Sequence, residues 1–233
     1  SEIEKYYDVF AGAFNTATTA NVVGDSRFEI VGSFRRGALD SGDIDVIITS
    51  KNDVVFKAFI DILIKEGIIL PDGVLSRGKT KCLVVARLPG NPIARRVDFL
   101  YTSVEEYPFS VLYFTGSKLF NTSMRARAQT LGYTLNEHGI YKMEGKTKGD
   151  KVDKVFKTEK DIFDFLHMAY KEPKDRIDGR SVLDAPAIAA LSTTITALIT
   201  TPTPSPAPTP SPAPTPIIEP TPAIKPKTKT LKK

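Results

Sequence analysis

Three aspartates at two spacings are the residues of this chain best placed to do chemistry. Asp43 and Asp45 lie two apart in Ser41-Gly42-Asp43-Ile44-Asp45-Val46, and Asp98 follows in Arg95-Arg96-Val97-Asp98-Phe99. Residues two apart on a strand point to one face of its sheet, so a strand over 44–49 gives the first pair a common direction. A carboxylate from a second strand can then close a site for two divalent cations. Unpaired, such carboxylates repel: two unit charges about 5 Å apart cost about 3 kcal/mol at an effective dielectric near 20. Mg²⁺ removes that cost and keeps waters and substrate phosphates in its octahedron. Two such ions roughly 3.5–4 Å apart activate an attacking hydroxyl and stabilise a leaving pyrophosphate. The chemistry implied is nucleotidyl transfer with two Mg²⁺ ions, Mn²⁺ being a possible substitute. Upstream, the Gly32-Ser33 turn offers amides and a hydroxyl to a phosphate, and Arg36 adds a charge-assisted contact. Alone, Asp-x-Asp reads as a solvated strand end and Gly-Ser as an ordinary turn. Their succession within about ten residues favours the functional reading.

The elements that must hold these residues are α+β. Ile3, Tyr7, Phe10 and Phe14 recur at helical spacing and predict a helix over 2–16. A strand is expected over 28–31, ending at the Gly32-Ser33 turn, and a buried β-branched strand over 44–49. A helix over 53–66, opened by Asp53 and stopped by Gly67, comes next. After it lies the basic turn Ser76-Arg77-Gly78-Lys79-Thr80-Lys81, then strands 82–88 and 96–101 joined by a short connection with Pro89 and Pro92. Together these predict an α/β sandwich with a mixed sheet over residues 1–104. A smaller α/β subdomain is expected over 105–180. In it Ser117 caps a helix that ends before Gly132, with Phe120, Met124, Ala128 and Leu131 as its apolar stripe. Asn121 and Arg125 share another face four residues apart. Short strands are expected near 139–142 and 152–156. Thr158 to Asp161 opens a last helix by a capping-box variant, and Pro173 ends it.

Composition sets the limits. The chain has 233 residues, of which 41% are hydrophobic, enough for a real core. Most of its 17 prolines fall between Pro202 and Pro226, in a Thr-Pro, Ser-Pro and Ala-Pro repeat. Residues 181–233 are therefore expected to be a disordered tail, which cannot bury enough apolar surface to offset its ordering entropy. It is a spacer, or a polyproline segment that binds protein partners, ending in a basic patch suited to nuclear import or DNA tethering. The tail holds Lys225, Lys227, Lys229, Lys232 and Lys233 against Asp184 and Glu219, or +3 of the formal net charge of +5. The folded part keeps only +2, so any nucleic-acid binding there needs a local patch. The lone Cys82 excludes an internal disulfide and fits an intracellular protein; its apolar run marks it as a core residue. Ser1 to Asp8 lacks the apolar stretch of a signal peptide, and the run 185–200 is shorter than the roughly 20 residues that span a bilayer. No membrane association is expected.

At this level of detail the chain resembles the catalytic part of a family X DNA polymerase. The resemblance rests on Gly-Ser-Phe-Arg-Arg-Gly at 32–37, Ser-Gly-Asp-Ile-Asp-Val at 41–46 and Arg-Arg-Val-Asp at 95–98. Tyr-Phe-Thr-Gly-Ser at 113–117, Met-Arg-Ala at 124–126, Asn-Glu at 136–137 and Glu-Pro-Lys-Asp-Arg at 172–176 continue it in order. It implies a nucleotidyltransferase-like palm with Asp43 and Asp45 on both metal ions and Asp98 on the catalytic one beside the primer 3′-hydroxyl. It also implies that Gly32, Ser33, Arg36 and Gly42 hold the triphosphate. Tyr113, Phe114 and Gly116 then line the sugar pocket, and Asn121 meets the minor-groove edge of the incoming base. Arg125 contacts the template, with Glu137 locking the closed state. Arg77, Lys81 and Arg96 are placed on DNA.

The chain also departs from that pattern. Leu100 replaces an arginine that restrains the second aspartate in close relatives, Lys118 replaces an acidic or small residue near the base, and His138 stands in place of an aromatic. His138 and His167 read as ordinary packing or surface residues. Residues 1–233 do not include the lyase domain that family members commonly carry, so the chain is expected to be either a fragment or a palm-plus-thumb minimal enzyme, and no lyase activity is expected of it. The short connection between the strands at 82–88 and 96–101 favours templated synthesis. The expected function is monomeric, DNA-directed short-gap filling in repair on primer-template or gapped DNA with dNTPs, in the nucleus or at a viral or cytoplasmic replication site. The alternatives are template-independent or RNA-tailing transfer, and a non-catalytic DNA-binding scaffold.

Overall fold

In the computed structural model, residues 1–21, 24–39 and 41–181 are described; the expected proline-rich tail lies outside them. The chain opens with α1 (Glu2–Asn21), β1 (Arg27–Ile30) and the one-turn helix α2 (Gly32–Arg35). It continues through β2 (Asp43–Thr49), α3 (Val54–Lys65), β3 (Ile69–Arg77), β4 (Lys81–Arg87) and β5 (Ala94–Thr102). The second half comprises α4 (Tyr107–Thr115), α5 (Lys118–Thr130), β6 (Tyr133–Asn136), β7 (Gly139–Glu144), β8 (Thr147–Lys151) and α6 (Glu159–Phe165). Two short 3₁₀ turns, Pro173–Asp175 and Gly179–Ser181, end it. The architecture is mixed α and β.

The first sheet has the order β1-β2-β5-β4-β3. Its central pair, β2 and β5, is parallel, and every other neighbour is antiparallel. Strand β2 reads Asp-Ile-Asp-Val-Ile-Ile-Thr, and its two faces separate by side-chain alternation. Ile44, Val46 and Ile48 enter the main core with Val97 and Phe99 of β5. That core is completed by Tyr6, Phe10 and Phe14 of α1 and by Phe56 and Phe59 of α3, with Phe10, Phe59 and Phe99 edge to face. Both long helices therefore cover one face of the sheet, and the face carrying Asp43, Asp45 and Asp98 is left open to a cleft. Cys82 is fully buried in this core, as expected.

A second core gathers Phe109 and Leu112 of α4, Phe120, Met124 and Ala128 of α5, Leu135, Ile140 and the α6 side chains Ile162 and Phe163. A small third cluster joins Val31 and Ile47 to Tyr107 and Val111. Ser117 caps α5 by accepting from Phe120 N, and Thr158 with Asp161 forms a complete capping box on α6.

Several expectations are corrected. Gly32-Ser33 is not a bare turn but the start of α2. The first helix runs five residues past 16, to Asn21. Strand β3 went unread because Pro71, Asp72 and Gly73 signal a turn, yet an edge strand with bulges accommodates them. Helix α4 went unread because it is apolar all round: Tyr107 and Val111 face the third cluster while Phe109 and Leu112 face the second, which erases helical periodicity. The segment 152–156 is not a strand; β6, β7 and β8 form the second sheet, and Thr147–Lys151 carries no apolar alternation to reveal it. The last helix stops at Phe165, well before Pro173.

Candidate active site

The carboxylate trio follows from strand register. Asp45 pairs with Asp98 across the parallel β2–β5 ladder, and Asp43 pairs with Arg96. All four side chains thus leave the sheet on the face opposite the main core. Asp98 is nearly buried, Asp45 half-buried and Asp43 exposed. Burial first, then the charges of Asp98 and Asp43, push the Asp45 carboxyl above its ordinary value, as expected for a like-charge cluster. Compensation comes from two cations. Arg96 Nε lies 3.1 Å from Asp98 Oδ1 and its Nη2 3.6 Å from Asp43 Oδ2. Lys81 Nζ lies 3.5 Å from Asp98 Oδ2. Lys81 stands directly across the β4–β5 ladder from Leu100, so a neighbouring strand delivers positive charge beside Leu100 and Asp98. Leu100 itself packs against the third cluster.

The donor chemistry suits hard divalent cations: three carboxylate oxygen donors, with no thiolate or imidazole among them. Among the described residues no group of three or more acidic, imidazole or thiol side chains is arranged as a metal cage. Arg96 bridges Asp43 and Asp98 instead.

Gly32 adjoins the trio. It has φ +68°, and a methyl group on it would lie 2.7 Å from Asp45 Oδ2. From here a cleft of about 430 Å³ opens between the two halves of the molecule. Gly32, Ser33, Arg36 and Asp45 form one wall; Tyr113, Phe114 and Gly116 a second; Lys118, Asn121 and Arg125 the third. All but one of the expected nucleotide-binding residues meet here, with Arg125. The exception is Gly42, which is exposed just before β2 and off the cleft wall, while its neighbour Ser41 bonds Ser33 Oγ at 3.0 Å. Arg36 Nη1 donates to the Thr115 carbonyl at 2.5 Å, and Asn121 Nδ2 to the Tyr113 carbonyl at 2.7 Å. Two side chains of this cleft are thus oriented by the end of α4.

A second cleft, about 570 Å³, carries Lys81, Leu100, Tyr113, Phe114, Glu137 and His138 on its walls. His138 is exposed, as expected, with Nδ1 3.1 Å from Glu106 Oε2 and its other nitrogen 3.9 Å from Glu137. His167 is exposed at the end of α6. Arg77 stands apart from both clefts, at the end of β3, with its guanidinium 2.8 Å from Asp61.

One cluster was not read from the sequence at all. Arg35 of α2 donates to both carboxylate oxygens of Glu159, at 3.1 and 2.9 Å, and to Thr115 Oγ1 at 2.9 Å. Its Nε bonds Glu29, which also accepts from Tyr107 at 2.8 Å. Arg176, fully buried, donates to Glu159 at 2.6 Å and to the Lys171 carbonyl at 2.9 Å. Burial opposes the charge on Arg35, but Glu159 and Glu29 outweigh it and hold the guanidinium protonated well above its ordinary range. In the sequence Glu159 stands out only as part of a capping box, and no local signal joins it to Arg35, 124 residues away.

The palm-and-thumb class is therefore defined by a five-stranded sheet with acids on its open face, facing a helical and three-stranded second half across a nucleotide-sized cleft. Comparison with known proteins narrows this. Residues 2–104 match the family model for the DNA polymerase beta palm and residues 110–177 that for the DNA polymerase beta thumb. The chain belongs to the family X DNA polymerases. It is 36% identical over 190 residues to DNA polymerase lambda of Rattus norvegicus, covering 76% of this chain and 32% of that protein. It is 26% identical over 162 residues to DNA polymerase lambda of Arabidopsis thaliana, covering 62% and 31%. With the DNA nucleotidylexotransferase of Xenopus laevis it shares 28% over 192 residues, covering 66% and 37%. The chain spans about a third of the length of these curated relatives. No helix among its described residues is long and apolar enough to cross a membrane.

Proposed function

We propose that this chain is the catalytic part of a DNA-directed DNA polymerase that adds dNMP units to a primer 3′-hydroxyl and fills short gaps during repair. The observation that carries the reading is the placement of Asp43, Asp45 and Asp98 on one sheet face at the mouth of a cleft lined by Ser33 and Arg36. The primer 3′-oxygen attacks the α-phosphorus, the bond from that phosphorus to the oxygen bridging it to the β-phosphorus breaks, and pyrophosphate leaves. Ser33 Oγ and the Arg36 guanidinium bind the β- and γ-phosphates, where Arg36 counters the charge that builds on the leaving group. Tyr113 and Phe114 pack against the sugar, Asn121 reads the base edge and Arg125 steadies the template base. Asp43 and Asp45 would hold two Mg²⁺ ions and Asp98 one of them. Bound there, the ions supply acidification of the 3′-hydroxyl and charge stabilisation. Arg77, Lys81 and Arg96 are assigned to the DNA backbone, and Glu137 to the closed state.

Primer extension on single-nucleotide-gapped DNA with Mg²⁺ and dNTPs tests this. Template-directed addition is expected, and Asp98→Asn should lower kcat by at least about 100-fold, the loss of about 3 kcal/mol of charge stabilisation. Addition at equal rate without a template, or an unaffected Asp98→Asn variant, would overturn the reading.

A further inference from the structure

A third cavity adjoins the nucleotide cleft. It measures about 290 Å³ and lies between α2 and the Pro173–Asp175 turn. Its walls include Ser33, Arg36, Ser117, Lys174, Arg176 and Ile177. Ser33 and Arg36 line the nucleotide cleft as well, so the two spaces adjoin at the residues assigned to the β- and γ-phosphates.

Its chemistry is that of an anion site. Arg36 and Lys174 contribute two cations and no carboxylate lines it. The Arg176 guanidinium does not face this space: it is fully buried, paired with Glu159 at 2.6 Å and lies 5.4 to 5.9 Å from the ring centres of Phe163, Tyr170 and Phe120. Lys174 is exposed at the mouth. The wall is tied in place: Ser117 Oγ donates to the Ile177 carbonyl at 2.6 Å and Ser117 N to the Arg176 carbonyl at 3.2 Å. At about 290 Å³ the space has room for a phosphate group.

Resting on the polymerase reading above, we infer that this cavity is a distal phosphate subsite. It takes the phosphate beyond the γ position of an elongated nucleoside polyphosphate, and receives inorganic pyrophosphate as it leaves the nucleotide cleft. With a deoxynucleoside 5′-tetraphosphate, the 3′-hydroxyl gives its proton to solvent, its oxygen attacks the α-phosphorus, the same α–β bridge breaks, and triphosphate replaces pyrophosphate as the leaving group. Lys174 supplies a charge-assisted contact to the terminal phosphate. Arg36, shared by both spaces, hands the anion from one to the other.

Steady-state gap filling with dATP and with deoxyadenosine 5′-tetraphosphate, for the unaltered chain and for Lys174→Ala and Lys174→Arg, tests the assignment. The unaltered chain is expected to use the tetraphosphate with a KM no higher than that for dATP. Lys174→Ala should raise the tetraphosphate-to-triphosphate KM ratio about fivefold and the inhibition constant for added pyrophosphate by a similar factor, with Lys174→Arg restoring both. A direct titration with inorganic triphosphate, followed by calorimetry, should weaken in the same order. Equal KM ratios and equal pyrophosphate inhibition across the three proteins would overturn the subsite. Failure of the unaltered chain to extend any primer with dATP would instead defeat the polymerase reading, so the two failures are distinguishable.

Discussion

Gly32 shows how little room the site leaves. A side chain there meets two obstacles at once: a φ of +68° and Asp45 Oδ2 at 2.7 Å from the added carbon. The left-handed backbone alone costs an L-residue about 1–2 kcal/mol. Relief of the clash must move the Asp45 carboxylate, which is otherwise aimed by the register of β2. Gly32→Ala is therefore expected to lower kcat for primer extension by an order of magnitude or more. Its melting temperature should fall by only about 2–8 °C, from roughly 2–4 °C per kcal/mol in a chain of this size. A variant with unchanged kcat would show that the contact does not position Asp45. At this scale the sequence was informative, because Asp-Ile-Asp alternation is a local property of one strand. The Gly32 contact with Asp45 was not legible: it depends on where α2 leaves β1, and the dipeptide Gly-Ser carries no record of that. The ion pairs of Arg96, Lys81 and Arg77 were equally hidden, since a cation suited to a phosphate is also suited to a nearby carboxylate.

Between elements, the join of the two halves rests on charge as much as on apolar contact. Glu159, in the first turn of α6, is held between Arg35 of α2 and Arg176 of the C-terminal segment. Burial raises its carboxyl, but the hydrogen bonds and charges of the two guanidinium groups prevail and set it below its ordinary value of 4.5. A lowered folded-state value means that the carboxylate stabilises the fold in full above about pH 4.5. That contribution is lost as pH falls below it. Glu159→Gln leaves Arg176 buried without its counter-charge, which costs about 3–5 kcal/mol at neutral pH. In urea melts from pH 7 to 3, the gap between the unaltered chain and Glu159→Gln should be widest near neutrality and shrink below pH 4.5. A gap that stays constant with pH would exclude Glu159 ionisation as its source. The sequence located α5 and α6 well, because Ser117 and Thr158 are local caps and Phe120, Met124 and Ala128 keep a helical period. It missed α4, whose job is to be buried from both sides, and the polar joint, which spans more than a hundred residues.

For the whole molecule the question is how a core of small net charge grips a polyanion. The chain carries +5, and residues 181–233 account for +3 of it. Within the described residues several cations expected on DNA are already engaged: Arg77 with Asp61, Lys81 with Asp98, and Arg96 with both Asp98 and Asp43. Binding DNA then means exchanging protein carboxylates for phosphates, and divalent cations at Asp43, Asp45 and Asp98 would release Arg96 and Lys81 for that exchange. Mg²⁺ should thus act on DNA affinity as well as on chemistry. Neutralising about five phosphates gives a slope of log K against log[salt] of about −4 to −5. That slope is expected for gapped DNA in Mg²⁺, measured by fluorescence anisotropy at fixed free Mg²⁺. In EDTA it should become shallower by about 1 to 2, one unit for each cation that stays with Asp98. Asp98→Asn should remove most of that difference, because Arg96 and Lys81 then lose their main protein partner whether or not Mg²⁺ is bound. Equal slopes in Mg²⁺ and EDTA for the unaltered chain would mean that these two cations never leave the carboxylates, and that the DNA is held elsewhere.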